Sequence, residues 1–250
     1  MALFTVRGVS KDFVSQSGMP IAALQNVNID VEEGKFLCLV GRSGCGKTTL
    51  LRILAGLEQQ SSGQAIFDGV PIQGCDPRRA MVFQDPRLFL WRTVSANVAF
   101  GLEVKGIPEA ERRRLTEHYV ELVGLKDFAN AYPYELSGGM RQRVALARVL
   151  AIDPRVILMD EPFAALDALT RNRLQEELLR LVEVERKTVV FVTHSADEAV
   201  FLADRIAVFS QRPRSVGKIL SVDLPKPRPR ECRESSELKQ EIFDLIAEYD

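Results

Sequence analysis

The chain has 250 residues, 46% hydrophobic and 27% charged, with Lys+Arg 33 against Asp+Glu 34 for a net charge of −1. This ordinary globular composition excludes a disordered, collagen-like or disulfide-stapled chain, and without a basic excess no nucleic-acid partner is expected. At this length roughly three quarters of the unfolded chain's surface can be buried, enough for one large core or a core plus a subdomain.

The start, Met1-Ala2-Leu3-Phe4-Thr5-Val6-Arg7-Gly8, lacks the basic-then-apolar layout of a secretion signal, and no apolar run reaches the ~18 residues a membrane span needs. Cys38, Cys45, Cys75 and Cys232 have no paired spacing, and two histidines are too few for a readable metal cluster. The expectation is a soluble chain in a reducing compartment, the cytoplasm. Residues 23–31 alternate apolar and polar, Glu32-Glu33-Gly34 is a turn, and 35–40 form a short apolar run bounded by glycines, the pattern of a buried strand. After the glycine-rich stretch 41–46, Leu50, Leu51 and Leu54 have helical spacing, and Gly56 sits where a helix stops. Residues 58–75 return to strand and turn character, punctuated by Ser61-Ser62-Gly63 and Asp68-Gly69.

From Pro86 the texture changes. Residues 93–151 read as mostly helical, with 109–125 strongly charged and amphipathic; strand-like runs follow at 156–159 and 189–192, with a helical stretch at 171–185 between them. Alternating strand and helix is the grammar of a parallel α/β sheet, so 86–151 reads as a helical insertion into a core made of about 1–85 and 152–225. Beyond Leu224, Pro225-Lys226-Pro227-Arg228-Pro229-Arg230 reads as an extended basic linker, and 235–249 as a final amphipathic helix.

Gly41-Arg42-Ser43-Gly44-Cys45-Gly46-Lys47-Thr48 matches the P-loop pattern G-x-x-x-x-G-K-[ST] in full, with a buried strand before it and a helix after it. Gly41, Ser43, Gly44, Cys45 and Gly46 are expected to turn backbone N–H groups around a phosphate, aided by the helix N-terminus. Lys47 would reach the β- and γ-phosphates, Thr48 would ligate Mg²⁺, and Thr49 would approach the α-phosphate. Cys45, beside Lys47 and a helix N-terminus, is expected to be a thiol that maleimide attacks and MgATP protects. Asp160 and Glu161 close the strand that starts at Val156, at the carboxyl end where ligands of open sheets lie; Asp160 would hold Mg²⁺ and Glu161 would orient the attacking water. His194 ends the strand 188–193, where a structural and a catalytic reading both stand. Leu136-Ser137-Gly138-Gly139-Met140-Arg141-Gln142-Arg143 opens a helix whose apolar stripe is Met140, Val144, Ala147 and Ala151. It is a second phosphate-seeking N-terminus, and two chains placed head to tail could close a nucleotide between a P-loop and the partner's Ser-Gly-Gly. The plainer reading is a helix capped by Ser137.

Taken together, these motifs resemble the ATP-binding subunits of ABC transporters, over residues 4 to 225. The P-loop, 136–142, Met159-Asp160-Glu161, Ala165-Leu166-Asp167 and Val192-Thr193-His194 stand in that family's order and distances, and Val82-Phe83-Gln84-Asp85 matches its Q-loop. The resemblance implies a P-loop NTPase core of α/β class with an N-terminal antiparallel β subdomain and an inserted helical subdomain. It implies that Gln84 lies near Mg²⁺ and the attacking water, that Phe13 stacks on adenine, and that His194 contacts the γ-phosphate. Ser137, Gly138, Gly139 and Gln142 would bind nucleotide from the partner chain, and Asp167 would cross the dimer interface. It further implies ATP and Mg²⁺ as cofactors, a second copy and integral membrane permease subunits as partners, indirectly an extracytoplasmic solute-binding protein, and a peripheral position on the cytoplasmic face of the membrane.

Within the family the chain looks most like the ATPases of nitrate, sulfonate and taurine importers, through Trp91-Arg92-Thr93-Val94, 97–103 and Val222-Asp223-Leu224-Pro225. It departs from them at Leu88-Phe89-Leu90-Trp91, where Leu-Leu-Pro-Trp is usual, at Phe13, where Tyr is commoner, and at Ala164, where Ser is. Leu88 to Trp91 read either as part of a docking groove for the membrane subunits or as core of the helical subdomain. The tail 226–250 reads either as a partner contact or as a solvated helix. Two other functions fit the P-loop: an ABC-type ATPase acting on nucleic acid or the ribosome, and a small-molecule kinase, which leaves Leu136 to Gly139 unexplained.

Overall fold

A computed structural model describes residues 2–16, 18–226, 228–230 and 232–249; Pro227 of the basic linker and Asp250 of the tail lie outside the described residues. In chain order the elements are β1 (Ala2–Val14), β2 (Pro20–Glu32), β3 (Phe36–Val40), α1 (Lys47–Ala55), β4 (Ser62–Phe67), β5 (Val70–Pro71) and β6 (Arg79–Val82). Then come α2 (Val94–Val104), α3 (Glu109–Leu122), α4 (Gly138–Ala151), β7 (Val156–Asp160), α5 (Ala168–Glu185), β8 (Thr188–Thr193), α6 (Ala196–Leu202), β9 (Arg205–Phe209), β10 (Val216–Ser221) and α7 (Arg233–Glu248). The chain divides into two compact units, one built from Met1–Asp76 with Arg186–Asp250, the other from Pro77–Glu185.

The first unit holds two sheets. One is antiparallel, in the order β2-β1-β4-β5. In the other, β3 pairs in parallel with β8 on one side (Phe36↔Val189 to Val40↔Thr193) and with β9 on the other, and β10 closes antiparallel on β9. Every residue of β3 and β8 is buried, so runs without alternation mark strands covered on both faces. In this unit the run Ile206-Ala207-Val208-Phe209 of β9 is buried throughout as well. Helix α1 follows β3 directly and ends at Gly56, in left-handed conformation (φ 77).

The tail belongs to this unit. Arg228, expected in an extended basic linker, is instead buried, and its guanidinium donates to the carbonyls of Val200 (3.2 Å), Phe201 (3.3 Å) and Ala203 at the end of α6 and of Val222 (3.3 Å). The last carbonyls of a helix have no partner within it, and one planar guanidinium here meets three of them. Lys226 pairs with Asp204 at 3.0 Å and Arg230 lies 3.8 Å from the Phe201 ring centroid. Of the two readings of the tail, its contacts fit a helix lying on its own unit.

In the second unit β6 and β7 pair in parallel, Arg79↔Val156 to Val82↔Met159, and α2, α3 and α4 pack on one another. The expected insertion 86–151 falls wholly inside this unit. Its core includes Val94, Val98 and Leu102 of α2, Val120 of α3, and Val144 and Ala147 of α4. These recur at intervals of three and four, the spacing that puts them on one helix face.

Candidate functional site

Residues 41–46 join the carboxyl end of β3 to the first turn of α1. Gly46 has φ 105, and a Cβ there would lie 2.5 Å from the Ala23 carbonyl oxygen, so the turn into the helix admits only glycine. Lys47 is buried, and its ammonium donates to the carbonyls of Gly41 (2.7 Å) and Arg42 (2.8 Å) across the loop. A cation fixed inside a loop of backbone amides at a helix N-terminus is an arrangement that can cradle a phosphate. Ser43 and Gly44 are exposed at its tip, while Thr48 and Thr49 lie in the first turn of α1. Cys45 is fully buried, its Sγ 3.5 Å from Lys47 Nζ. This burial argues against the expected ready attack by maleimide, because proximity to a cation counts only for a thiol that reagent can reach.

Two more of the expected residues lie on this unit. Phe13, near the end of β1, is 37% exposed, with Lys11 Nζ 4.9 Å from its ring centroid. His194 is the exposed first residue beyond β8. Its neighbours fix the backbone: Thr193 donates to Glu198 at 2.6 Å, the Ser195 N–H donates to the Thr193 hydroxyl at 3.0 Å, and Ser195 caps α6.

On the second unit Asp160 is the buried last residue of β7. Glu161 follows with φ 46, left-handed backbone that a residue with a long side chain seldom adopts. Ser137 caps α4, accepting from the Met140 N–H at 3.3 Å, and Gly138 and Gly139 open the helix. A Cβ at Gly139 would stand 3.3 Å from the Ala165 carbonyl oxygen, so the helix start and the segment before α5 are in close contact. Asp167 accepts from the Thr170 N–H at 3.0 Å, and the Thr170 amide and hydroxyl hold its carboxyl below its ordinary pKa. Gln142 is buried, and its amide donates to the Phe83 carbonyl at 3.0 Å, which places it beneath the exposed Gln84 rather than on an outer surface.

Two residues to which the sequence reading gave no role in the site hold the segment after Gln84. The Asn97 amide, fully buried in α2, donates to the carbonyls of Phe89 (3.1 Å), Arg92 (3.0 Å) and Thr93 (3.0 Å) and accepts from the Phe89 N–H (2.9 Å). Arg148 of α4 donates to the carbonyls of Pro86 and Arg87, both at 3.0 Å. A polar side chain on the apolar face of α2 was the only available signal. Phe89 packs on Phe100 (4.6 Å between centroids), whereas Leu90 and Trp91 are 60% and 75% exposed. Of the four apolar residues, these two present the surface, while Phe89 is half-buried against Phe100.

Among the described residues no three His, Cys, Asp or Glu side chains converge on a metal position. A hydroxyl such as Thr48 and a carboxylate such as Asp160 are instead the hard oxygen donors that suit a Mg²⁺ arriving with nucleotide phosphates and most of its waters.

The ABC transporter family profile matches residues 24–164. An uncharacterized ABC transporter ATP-binding protein of Methanocaldococcus jannaschii is 52% identical over 92% of this chain and 86% of its own length. The nitrate import ATP-binding protein NrtD of Synechococcus elongatus is 42% identical over 95% of this chain and 89% of its own. The bicarbonate transport ATP-binding protein CmpC of the same organism is 45% identical over 92% of this chain, which spans 35% of that longer protein. Among solved structures, the dimeric post-hydrolysis state of the ATP-binding cassette MJ0796 bound to ADP and Pi matches with a TM-score of 0.81 and 33% identity, over 88% of this chain and 98% of that one.

Proposed function

The chain belongs to the ABC transporter family, as an ATP-binding subunit whose ATP hydrolysis is coupled to transport, and we propose that it powers import of a small anion of the nitrate, sulfonate or taurine type. The observation that carries the nucleotide chemistry is the phosphate cradle, with Lys47 held by the Gly41 and Arg42 carbonyls at the junction of β3 and α1. Nitrate and bicarbonate, named in the relatives NrtD and CmpC, are both small anions, and this supports the solute class.

In this reading Phe13 stacks on adenine, and Gly41, Ser43, Gly44, Cys45 and Gly46 give backbone N–H groups to the phosphates together with Lys47 and Thr49. Thr48, Gln84 and Asp160 hold Mg²⁺, which when bound withdraws charge from the phosphate oxygens. Glu161 takes the proton of the attacking water, Gln84 orients that water, and His194 contacts the γ-phosphate, so that ADP and phosphate form. A second copy, head to tail, supplies Ser137, Gly138 and Gly139 at the helix N-terminus of α4, and Asp167 near the contact. Gln142 acts by supporting the Phe83 carbonyl beside Gln84. The MJ0796 cassette, dimeric with ADP and Pi, supports the dimer.

No helix among the described residues is long and apolar enough to cross a membrane. Membership in the ABC transporter family and the import role in the name of the relative NrtD support permease subunits on whose cytoplasmic face this chain sits, with Leu90 and Trp91 as contact residues and a solute-binding protein on the far side. Glu161→Gln is expected to bind ATP, to lose hydrolysis by at least ~10²-fold, and to form a stable ATP-bound dimer by size exclusion. Pulled down with ATP from detergent-solubilised membranes, it should bring a multi-span membrane protein in near-equal amount. Recovery of nucleic acid or soluble protein alone would overturn the import reading, and hydrolysis at the unsubstituted rate would remove Glu161 as the base.

A further inference from the structure

In the first unit an open cleft of about 590 Å³ is bounded by Ile21 and Ala22 of β2, by Ser43 and Gly44 of the phosphate loop, and by the loop 211–214 between β9 and β10. Its two ends have different chemistry. Ile21 is the cross-strand partner of Phe13, the aromatic residue assigned to adenine, so the two side chains share a sheet face. Ser43 and Gly44 form the tip of the phosphate cradle. A nucleotide spanning from one to the other runs along the third wall.

That third wall is firmly placed. The Arg214 guanidinium donates to the Ala22 carbonyl at 2.7 Å, and the Arg214 carbonyl accepts from the Gln25 N–H at 2.8 Å. The Ser210 N–H donates to the Ser215 carbonyl at 2.9 Å, and the Gln211 N–H to the Tyr249 carbonyl at 3.1 Å. Arg214 is thus committed to β2. Arg212 is different: it lines the same cleft, it is exposed, and its guanidinium meets no protein acceptor among the described residues. Among the described residues that line the cleft there is no carboxylate to neutralise either arginine.

We propose that Arg212 is a nucleotide-binding residue, whose guanidinium contacts phosphate oxygens of the nucleoside triphosphate from the side opposite β2. The inference rests on the assignment of Gly41–Thr48 to ATP and extends it to a loop that no sequence motif marks. A planar guanidinium matches two phosphate oxygens at once and stays charged at every relevant pH. Placed on a loop held by three backbone hydrogen bonds and the Arg214 guanidinium, it loses little mobility on binding. The contact adds ground-state affinity and leaves the hydrolytic residues untouched, so the affinity for nucleotide changes more than turnover does.

The test is calorimetric titration of ATP, ADP and AMP into the unsubstituted protein, Arg212→Ala and Arg212→Lys, with KM and kcat measured alongside. Arg212→Ala should weaken ATP and ADP binding about tenfold, with KM following and kcat held within about twofold; AMP should lose less, and Arg212→Lys should recover part of the affinity. Equal dissociation constants for ATP in the unsubstituted protein and Arg212→Ala overturn the inference while leaving the ATP assignment intact. So does an Arg212→Ala effect confined to ATP-dependent dimerisation in the Glu161→Gln background, since the arginine would then face the second copy. If the unsubstituted protein binds no ATP, the inference and the assignment beneath it fall together.

Discussion

Asp160 and Glu161 are adjacent carboxylates with different backbones. Asp160 completes the ladder of β7, whereas Glu161, at φ 46, leaves it in a left-handed turn. A strand would send successive side chains to opposite faces, and the turn releases Glu161 from that alternation. Such a residue costs of order 1–3 kcal/mol and persists because its surroundings hold it. Both carboxylates were legible in the sequence because they follow an apolar run; the turn was not, since nothing in Met-Asp-Glu-Pro signals left-handed backbone. Cys45 teaches the reverse. Its setting beside Lys47 was read correctly from spacing, but its complete burial depends on packing that spacing does not encode. The expected outcome is that maleimide labels the exposed Cys75 of the native protein quickly and Cys45 only after denaturation, as peptide mass spectrometry would resolve. Fast native labelling of Cys45 would show that the phosphate loop opens spontaneously.

At the scale of elements, the segment 86–93 has no regular structure of its own and takes its shape from α2 and α4, through Asn97 and Arg148. Asn97→Ala would remove the one amide whose nitrogen serves the carbonyls of Phe89, Arg92 and Thr93 and whose oxygen accepts the Phe89 N–H. A loss of about 3 kcal/mol is expected, read from urea unfolding, because each buried group left without a partner costs 1–3 kcal/mol and some will find water. Loosening this segment should also reduce recovery of the membrane partner, because Leu90 and Trp91 lie on it, while ATP hydrolysis by the free protein persists. The long elements were legible: α3, α4 and α5 through helical periodicity, β3 and β8 through unbroken apolar runs. The short ones were not. Four-residue β6 and seven-residue α6 are too brief for periodicity to distinguish strand from helix, and both owe their form to neighbours.

For the molecule as a whole, composition and motif order were enough to reach the fold class, because six motifs in register constrain where strands end and helices begin. The placement of the tail was beyond them. A Pro-Lys-Pro-Arg run has the composition of a solvated linker, and only the uncapped end of α6 makes Arg228 an interior residue. Arg228→Met should keep much of the volume and lose the guanidinium bonds, lowering the stability of the chain by ~3 kcal/mol, since bonds from a charged donor are worth 1.5–3 kcal/mol each and part is recovered from solvent. Chemical unfolding followed by circular dichroism checks it, and an unchanged midpoint would mean that the tail only rests on the surface.

The position of β3 between β8 and β9 has a consequence for how the chain is made. A ribosome releases β3 and the phosphate loop early, yet both parallel neighbours of β3 come from beyond residue 187. The stretch Pro77–Glu185 is contiguous and can complete its own core while synthesis continues, whereas the unit containing Lys47 must wait for β8 and β9. Through most of its synthesis the nascent chain therefore carries an apolar strand with open edges, and it is in this interval, rather than after release, that chaperone protection of this protein matters most.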